Sequence, residues 1–301
     1  MKGAATPFYP EPGNATIKKR GYSARVFLCV LLITMDIKKF SIWILLAYIL
    51  TVSASSRAVD LRISAELMHF DYKETDLSGN TLNQETGYIP GFTLAAVLPY
   101  HRIENSFEFS IYDGVVDYDG RTQNGDPHQT STEQSIYRLL YKLSWSPSST
   151  EASFYGKTYW QQWDREIQPN NGVGGLFESY RWWTVEAGAQ LPFIKQDKHN
   201  LFWELALLAS LNGTIMIDLN NLGLGSPTLD LGDSIGFASG LKYEFKQTSN
   251  SSLQFGIQFK TWEFGRSNSK TISDGNDTFI ITEPDSTTIQ TSLSASYIHR
   301  F

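Results

Sequence analysis

Two short clusters carry side chains that could do chemistry together. His69 and Asp71 stand two residues apart, and so do Asp117 and Asp119. On a β-strand, residues i and i+2 point to one side, so each pair could share a face, as general acid–base work requires. A second set is larger and recurs at even spacing: Arg62, Glu66, Glu108, Arg138, Lys142, Lys157, Glu186, Glu204, Lys242, Glu244, Lys260 and Arg300. Opposite charges gathered in a narrow, dry interior should pair, because a lone buried charge costs several kcal/mol or more. No Ser-His-Asp set, phosphate loop or cofactor fingerprint is present, so no cofactor is expected. The five histidines lack zinc-ligand spacing, so no metal is expected either. Asp274 to Asp277 and Asn170 to Gly175 read as turn chemistry, since Asn, Asp and Gly tolerate left-handed backbone.

Positioning those charges requires strands. From residue 59 onward, stretches of alternating apolar and polar residues are separated by turn-rich segments, and no helical period is sustained. Ten strands are expected, at 59–73, 88–100, 106–118, 134–146, 151–164, 178–192, 200–217, 232–246, 252–266 and 286–301. The connections alternate in length. Short ones fall near 101–105, 147–150, 193–199 and 247–251; longer ones fall at 74–87, 119–133, 165–177, 218–231 and 267–285. Short turns on one side and long loops on the other are the outer-membrane barrel pattern, and an even strand count puts both termini in the periplasm. Within the long segment 82–91, Glu85 could hydrogen-bond into the rim, while Gly87 and Gly91 would permit a sharp re-entry into the second strand.

The two faces of these strands differ in kind. Leu139, Leu143, Phe237, Leu241, Phe255 and Ile257 share the bulky faces, whereas Arg138, Lys142, Gly236, Ala238, Gly256 and Lys260 share the opposite ones. On the seventh strand Glu204, Ala206, Ser210 and Asn212 fall on the small, polar side. Lipid suits the first set and a crowded polar lumen the second, the reverse of a soluble ligand-holding barrel. Trp145, Trp203, Tyr243 and Phe245 near one end, and Trp160, Trp183 and Trp262 toward the other, would form two interfacial girdles. Composition agrees. Aromatics make up 14% and charged residues only 19% of 301 residues, while mean hydropathy is −0.25, the average expected when half of each strand faces lipid. The net charge of −6 carries no basic footprint, so no nucleic-acid partner is expected.

Residues 35–58 read as a cleavable signal peptide. Lys38 and Lys39 precede the apolar run 40–54, which is shorter than the roughly 20 residues a membrane helix needs. Small residues at Ser56 and Ala58 favour cleavage before Val59, with cleavage at Ala54 the second option. Residues 1–34 are then an N-terminal extension or a start assigned too early, with Met35 the initiator, and 59–301 form the barrel. Cys29, the single cysteine, lies upstream of that body, so no disulfide framework is possible there.

The last strand, with Leu293, Tyr297 and a terminal Phe301, resembles the C-terminal signal of bacterial outer-membrane proteins. That resemblance implies the barrel assembly machinery and periplasmic chaperones as partners, with outer-membrane lipid and lipopolysaccharide around the folded protein. A ten-stranded barrel also resembles the omptin proteases, whose catalytic Asp pair and Asp-His pair sit at the outer rim. The resemblance would assign such a role to Asp117 with Asp119 and to His69 with Asp71. Here the His-Asp pair runs in the opposite order and its parity turns it outward. As rim residues, the four would meet water and lipopolysaccharide-bound cations. The sequence therefore points to an all-β outer-membrane barrel with a lumen plugged by ion pairs and a structural or surface-interaction role. The alternatives are a narrow channel for small solutes and an omptin-like rim hydrolase.

Overall fold

A computed structural model of the chain describes residues 59–122 and 125–301. The extension 1–34 and the signal 35–58 lie outside the described residues. Ten long strands make the wall: β1 (Asp60–Thr75), β2 (Thr81–Tyr100), β3 (Ile103–Arg121), β4 (Pro127–Trp145), β5 (Ser153–Ile167), β6 (Leu176–Lys195), β7 (His199–Asp218), β9 (Ser234–Lys246), β10 (Ser251–Phe264) and β13 (Asp285–Arg300). Each pairs antiparallel with the next, and β1 pairs with β13 from Asp60 opposite Arg300 to Thr75 opposite Asp285, which closes the barrel. Three short strands lie in the loops: β8 (Thr228–Asp230) on β7, and the hairpin of β11 (Lys270–Ser273) with β12 (Thr278–Ile281). Closure leaves no unpaired edge in the wall, a requirement for any sheet that crosses lipid.

The bulky faces point outward. Ile257 is 45% exposed, Leu139 48% and Phe237 40%, whereas Lys260, Gln161 and Glu204 point in and are buried. On β3 the outward apolar residues run from Ile103 to Val115. That stretch is about 40 Å along the strand and about 30 Å high after the usual tilt, enough to cross the hydrocarbon layer.

The strands do not stop where that belt stops. On β1, Leu61, Ile63 and Leu67 face out, followed by His69, Asp71 and Lys73; inside, Met68, Phe70 and Tyr72 are buried. Polarity therefore inverts along a single strand. Below the inversion the outward face suits lipid, and above it the outward face suits water. This inversion explains the main departure from the sequence reading. The expected long loop 74–87 is a turn at 76–80, and β2, β4 and β6 begin about seven, seven and two residues earlier than expected. Segments where the alternation survives with its sign reversed look like polar loops when read by the lipid rule. Gly91 is likewise no re-entry point. It sits mid-strand opposite Tyr112, and a side chain there would collide with the Tyr112 ring.

Two further residues stand differently from expectation. Trp262 faces inward, buried against Trp182 with ring centroids 6.4 Å apart, because it shares the parity of Lys260 on β10. Asn212 is exposed rather than lumenal. It adopts a left-handed backbone (φ 53°) at a bulge where the β6–β7 register shifts between Arg181 and Trp183. One extra residue there switches the inward parity of β7, so that Ile215 and Ile217 become the buried ones.

Candidate functional site

The barrel interior has two storeys. The lower one, toward the termini, holds the charges that strand parity sends inward. Arg62 Nη2 meets Glu108 Oε1 at 2.7 Å, and Lys157 Nζ meets Glu186 Oε1 at 2.6 Å. Lys242 Nζ lies 2.9 Å from Glu204 Oε2, with Lys142 Nζ 3.9 Å from Oε1 of the same carboxylate. Lys260 reaches Glu186 at 3.7 Å, and Arg300 bridges Glu244 at 2.7 Å and Asp60 at 3.4 Å. Glu66 accepts hydrogen bonds from Tyr112 OH and Thr93 Oγ1, both at 2.6 Å. Arg138 gives its Nε hydrogen to Gln161 Oε1 at 2.9 Å, and its guanidinium carbon lies 5.2 Å from the Tyr159 ring centroid. Of these, Arg62, Glu66, Glu108, Arg138, Lys142 and Glu204 are among the residues that line a cavity of about 130 Å³.

The upper storey was not anticipated. Its wall is apolar and aromatic, with Phe70, Tyr72, Ile89, Tyr118, Ile136, Trp163 and Tyr180 in one buried cluster. At its heart is Arg165, 1% exposed and ringed by four buried glutamates. Strand register brings most of them together: Arg165 stands opposite Gln134 on β4 and Glu178 on β6, and Tyr72 on β1 stands opposite Glu85 on β2. Arg165 Nη2 lies 2.6 Å from Glu85 Oε1, while Nη1 reaches Glu178 Oε2 at 2.8 Å and Glu74 Oε1 at 3.2 Å. Gln134 Nε2 and Thr132 Oγ1 also donate to Glu85, at 2.5 and 3.1 Å. Trp163 Nε1 donates in turn to Gln134. The fourth carboxylate, Glu283, descends from the long loop after β12 and accepts from Tyr180 OH at 2.6 Å and Tyr72 OH at 3.4 Å.

One guanidinium cannot balance four carboxylates in a dry site, so some must keep their protons. The cluster stands above the apolar belt, at the level of Tyr72 and Glu74 on β1. Burial, reinforced by neighbouring Glu74, pushes Glu178 up to about 7 against the pull of Arg165. Burial and the charges of Glu74 and Glu178 raise Glu283 well above the usual carboxylate range. Burial likewise keeps the Tyr72 and Tyr180 hydroxyls protonated, so they serve as donors. The arrangement shares protons among carboxylates and tethers the last outer loop to the wall.

The sequence contained a signal for most of this. Arg165 has the parity of Lys157, Glu178 that of Glu186, and Glu74 that of Arg62 and Glu66. Glu74 and Arg165 lie just beyond the ends of the expected strands, and Glu178 is the first residue of its own. Glu283 lies in an irregular loop and offered no periodic signal.

The rim residues take other places. Asp117 and Asp119 are exposed on the outer surface of β3, and His69 and Asp71 point outward on β1. His69 packs edge-on against Tyr88, with centroids 5.1 Å apart, and Asp71 accepts from Gln84 Nε2 at 3.2 Å. All four face away from the lumen. Leu293 and Tyr297 on β13 are exposed on its outward face, at 54% and 44%, and Phe301 just after the strand is 69% exposed. Among the described residues, no three His, Cys, Asp or Glu side chains are grouped to hold a metal ion.

No protein-family model and no curated protein matches the sequence. The fold, by contrast, matches solved structures. The outer membrane protease OmpT from Escherichia coli superposes with a TM-score of 0.57 at 8% identity, covering 81% of this chain and 97% of that one. The translocator domain of the autotransporter NalP from Neisseria meningitidis gives a TM-score of 0.45 at 10% identity, covering 80% and 88%. OmpT is a bacterial outer-membrane protein, and the closed ten-stranded barrel described above shares its β-barrel fold.

Proposed function

We propose that the protein is an integral outer-membrane barrel whose lumen is closed, serving as a scaffold that displays its outer surface and loops rather than as a general pore. The observation that carries this reading is the upper storey. A contiguous cluster of buried rings and aliphatic side chains, with the Arg165 ion network inside it, occupies the cross-section just above the belt of exposed Leu, Ile and Phe. Small barrels have interiors about wide enough for side chains to fill, whereas aqueous channels accompany about 16 strands or more. In this reading the chain is exported by the signal at 35–58, cut before Val59 and inserted by the barrel assembly machinery through the strand ending in Phe301. Lipopolysaccharide then surrounds the outer polar wall.

The match to OmpT supports the fold alone. The outward orientation of His69, Asp71, Asp117 and Asp119 gives no convergent cleft for a hydrolase. Recording from planar bilayers tests the proposal. The purified barrel should show no large steady conductance, and a stable open level of several hundred picosiemens or more would overturn the closed lumen.

A further inference from the structure

The lower cavity supports a second reading, independent of whether the outer mouth is closed. Its lining includes Arg62, Arg138, Lys142, Lys157, Lys242 and Lys260. The carboxylates are fewer. Glu66, Glu104, Glu108 and Glu204 line it, with Glu186 behind Lys157 and Lys260. Glu104 is exposed near the terminal end, so the cavity opens on that side.

The cations are not equally served. Arg62, Lys157 and Lys242 each have a carboxylate within 3.0 Å, and Lys142 and Lys260 each have one within 4.0 Å. Arg138 has none within that distance among the described residues. Its one side-chain hydrogen bond uses Nε, leaving both Nη groups without a side-chain or backbone acceptor there. The Tyr112 and Tyr159 rings lie 5.8 and 5.2 Å from its guanidinium carbon and hold the group in place. The carboxylates that act on it from farther off, Glu66 and Glu186, are already engaged by Tyr112 with Thr93 and by Lys157 with Lys260, and a guanidinium withdrawn from bulk water without a carboxylate in contact is costly. Its free edge matches the paired oxygens of a carboxylate or phosphate. Ser110 stands directly opposite Arg138 in the β3–β4 register and brings a hydroxyl to the same level. The cavity's roughly 130 Å³ far exceeds the ~10–15 Å³ that one water requires.

We infer that this cavity is a binding site for a small oxyanion, a phosphate or carboxylate group entering from the terminal side and anchored by the free edge of Arg138. The proposal is tested by calorimetric titration of the folded barrel, in detergent micelles, with inorganic phosphate and separately with acetate at fixed ionic strength. Sodium chloride serves as the control. Binding of either oxyanion is expected, with the dissociation constant raised at least ten-fold in R138Q. Preference for phosphate or for acetate identifies which oxyanion the site takes. Folding of the variant is checked by heat-modifiable gel migration. Should R138Q not fold, R138K keeps the charge without the two-pronged edge, and its affinity should fall at least three-fold. No heat from either oxyanion, equal heat from chloride, or unchanged affinity in a folded variant would overturn the inference.

Discussion

Arg165 is surrounded by more negative charge than it can balance, and the consequences are measurable at that residue. Replacing it with Gln leaves Glu85 and Glu74 buried without their cation, a change that typically costs about 3–5 kcal/mol. R165Q should therefore unfold in detergent at a lower temperature than the parent on gels that separate folded from boiled barrels. An unchanged transition would show that the cluster is dispensable. The pH dependence has a definite sign. Glu178 titrates near 7 in the folded protein, against about 4.5 when exposed, and Glu283 is raised further. The folded state thus holds protons that the unfolded chain releases. Their stabilisation is complete below about pH 4.5 and is lost as pH rises through the folded-state values. Thermal resistance contributed by these two groups should decline between pH 5 and pH 8. E283Q, which mimics the protonated form, should flatten that decline. A decline of equal size in E283Q would remove Glu283 from the account.

At the scale of the strand, the governing feature is the reversal of polarity partway up. Ile257 on β10 lies within the apolar belt, whereas Thr86 on β2 stands beyond it on the outward face. A charge at mid-membrane costs about 2–4 kcal/mol, falling toward zero near the interface. I257R should accordingly lower refolding yield into lipid vesicles several-fold, while T86R should leave it close to the parent. Equal effects at both sites would contradict the placement of the belt. The same reversal explains what the sequence reveals. The membrane half of each strand is legible because lipid demands bulky residues on one face and the lumen demands small or polar residues on the other. Leu139 against Arg138 and Ile257 against Gln258 show this contrast. Above the belt, water takes the place of lipid and the plug takes the place of the charged lumen. There Phe70 and Trp163 turn inward while Asp71 and Asp164 turn outward. A reading tuned to lipid ends the strand at that level, and so it misses Glu74 and Arg165. The inward turn of Trp262 was legible from its parity with Lys260, whereas the register shift at Asn212 depends on a bulge that alternation cannot locate. The descent of Glu283 depends on how a long loop folds back, which local pattern does not encode.

For the molecule as a whole, the central claim is a division of surroundings: lipid around the lower wall, water around the upper wall, and packed protein inside the upper storey. Residues 59–301 contain no cysteine, so single cysteines can be introduced and spin-labelled without interference. In lipid vesicles, a nitroxide at position 257 should collide with dissolved oxygen far more than with a water-soluble nickel chelate. At 117, on the outward face of β3, the preference should reverse. At 132, which is 0% exposed inside the upper storey, both collision rates should be low. A label at 257 relaxed mainly by the nickel chelate, or one at 132 freely reached by it, would contradict the account.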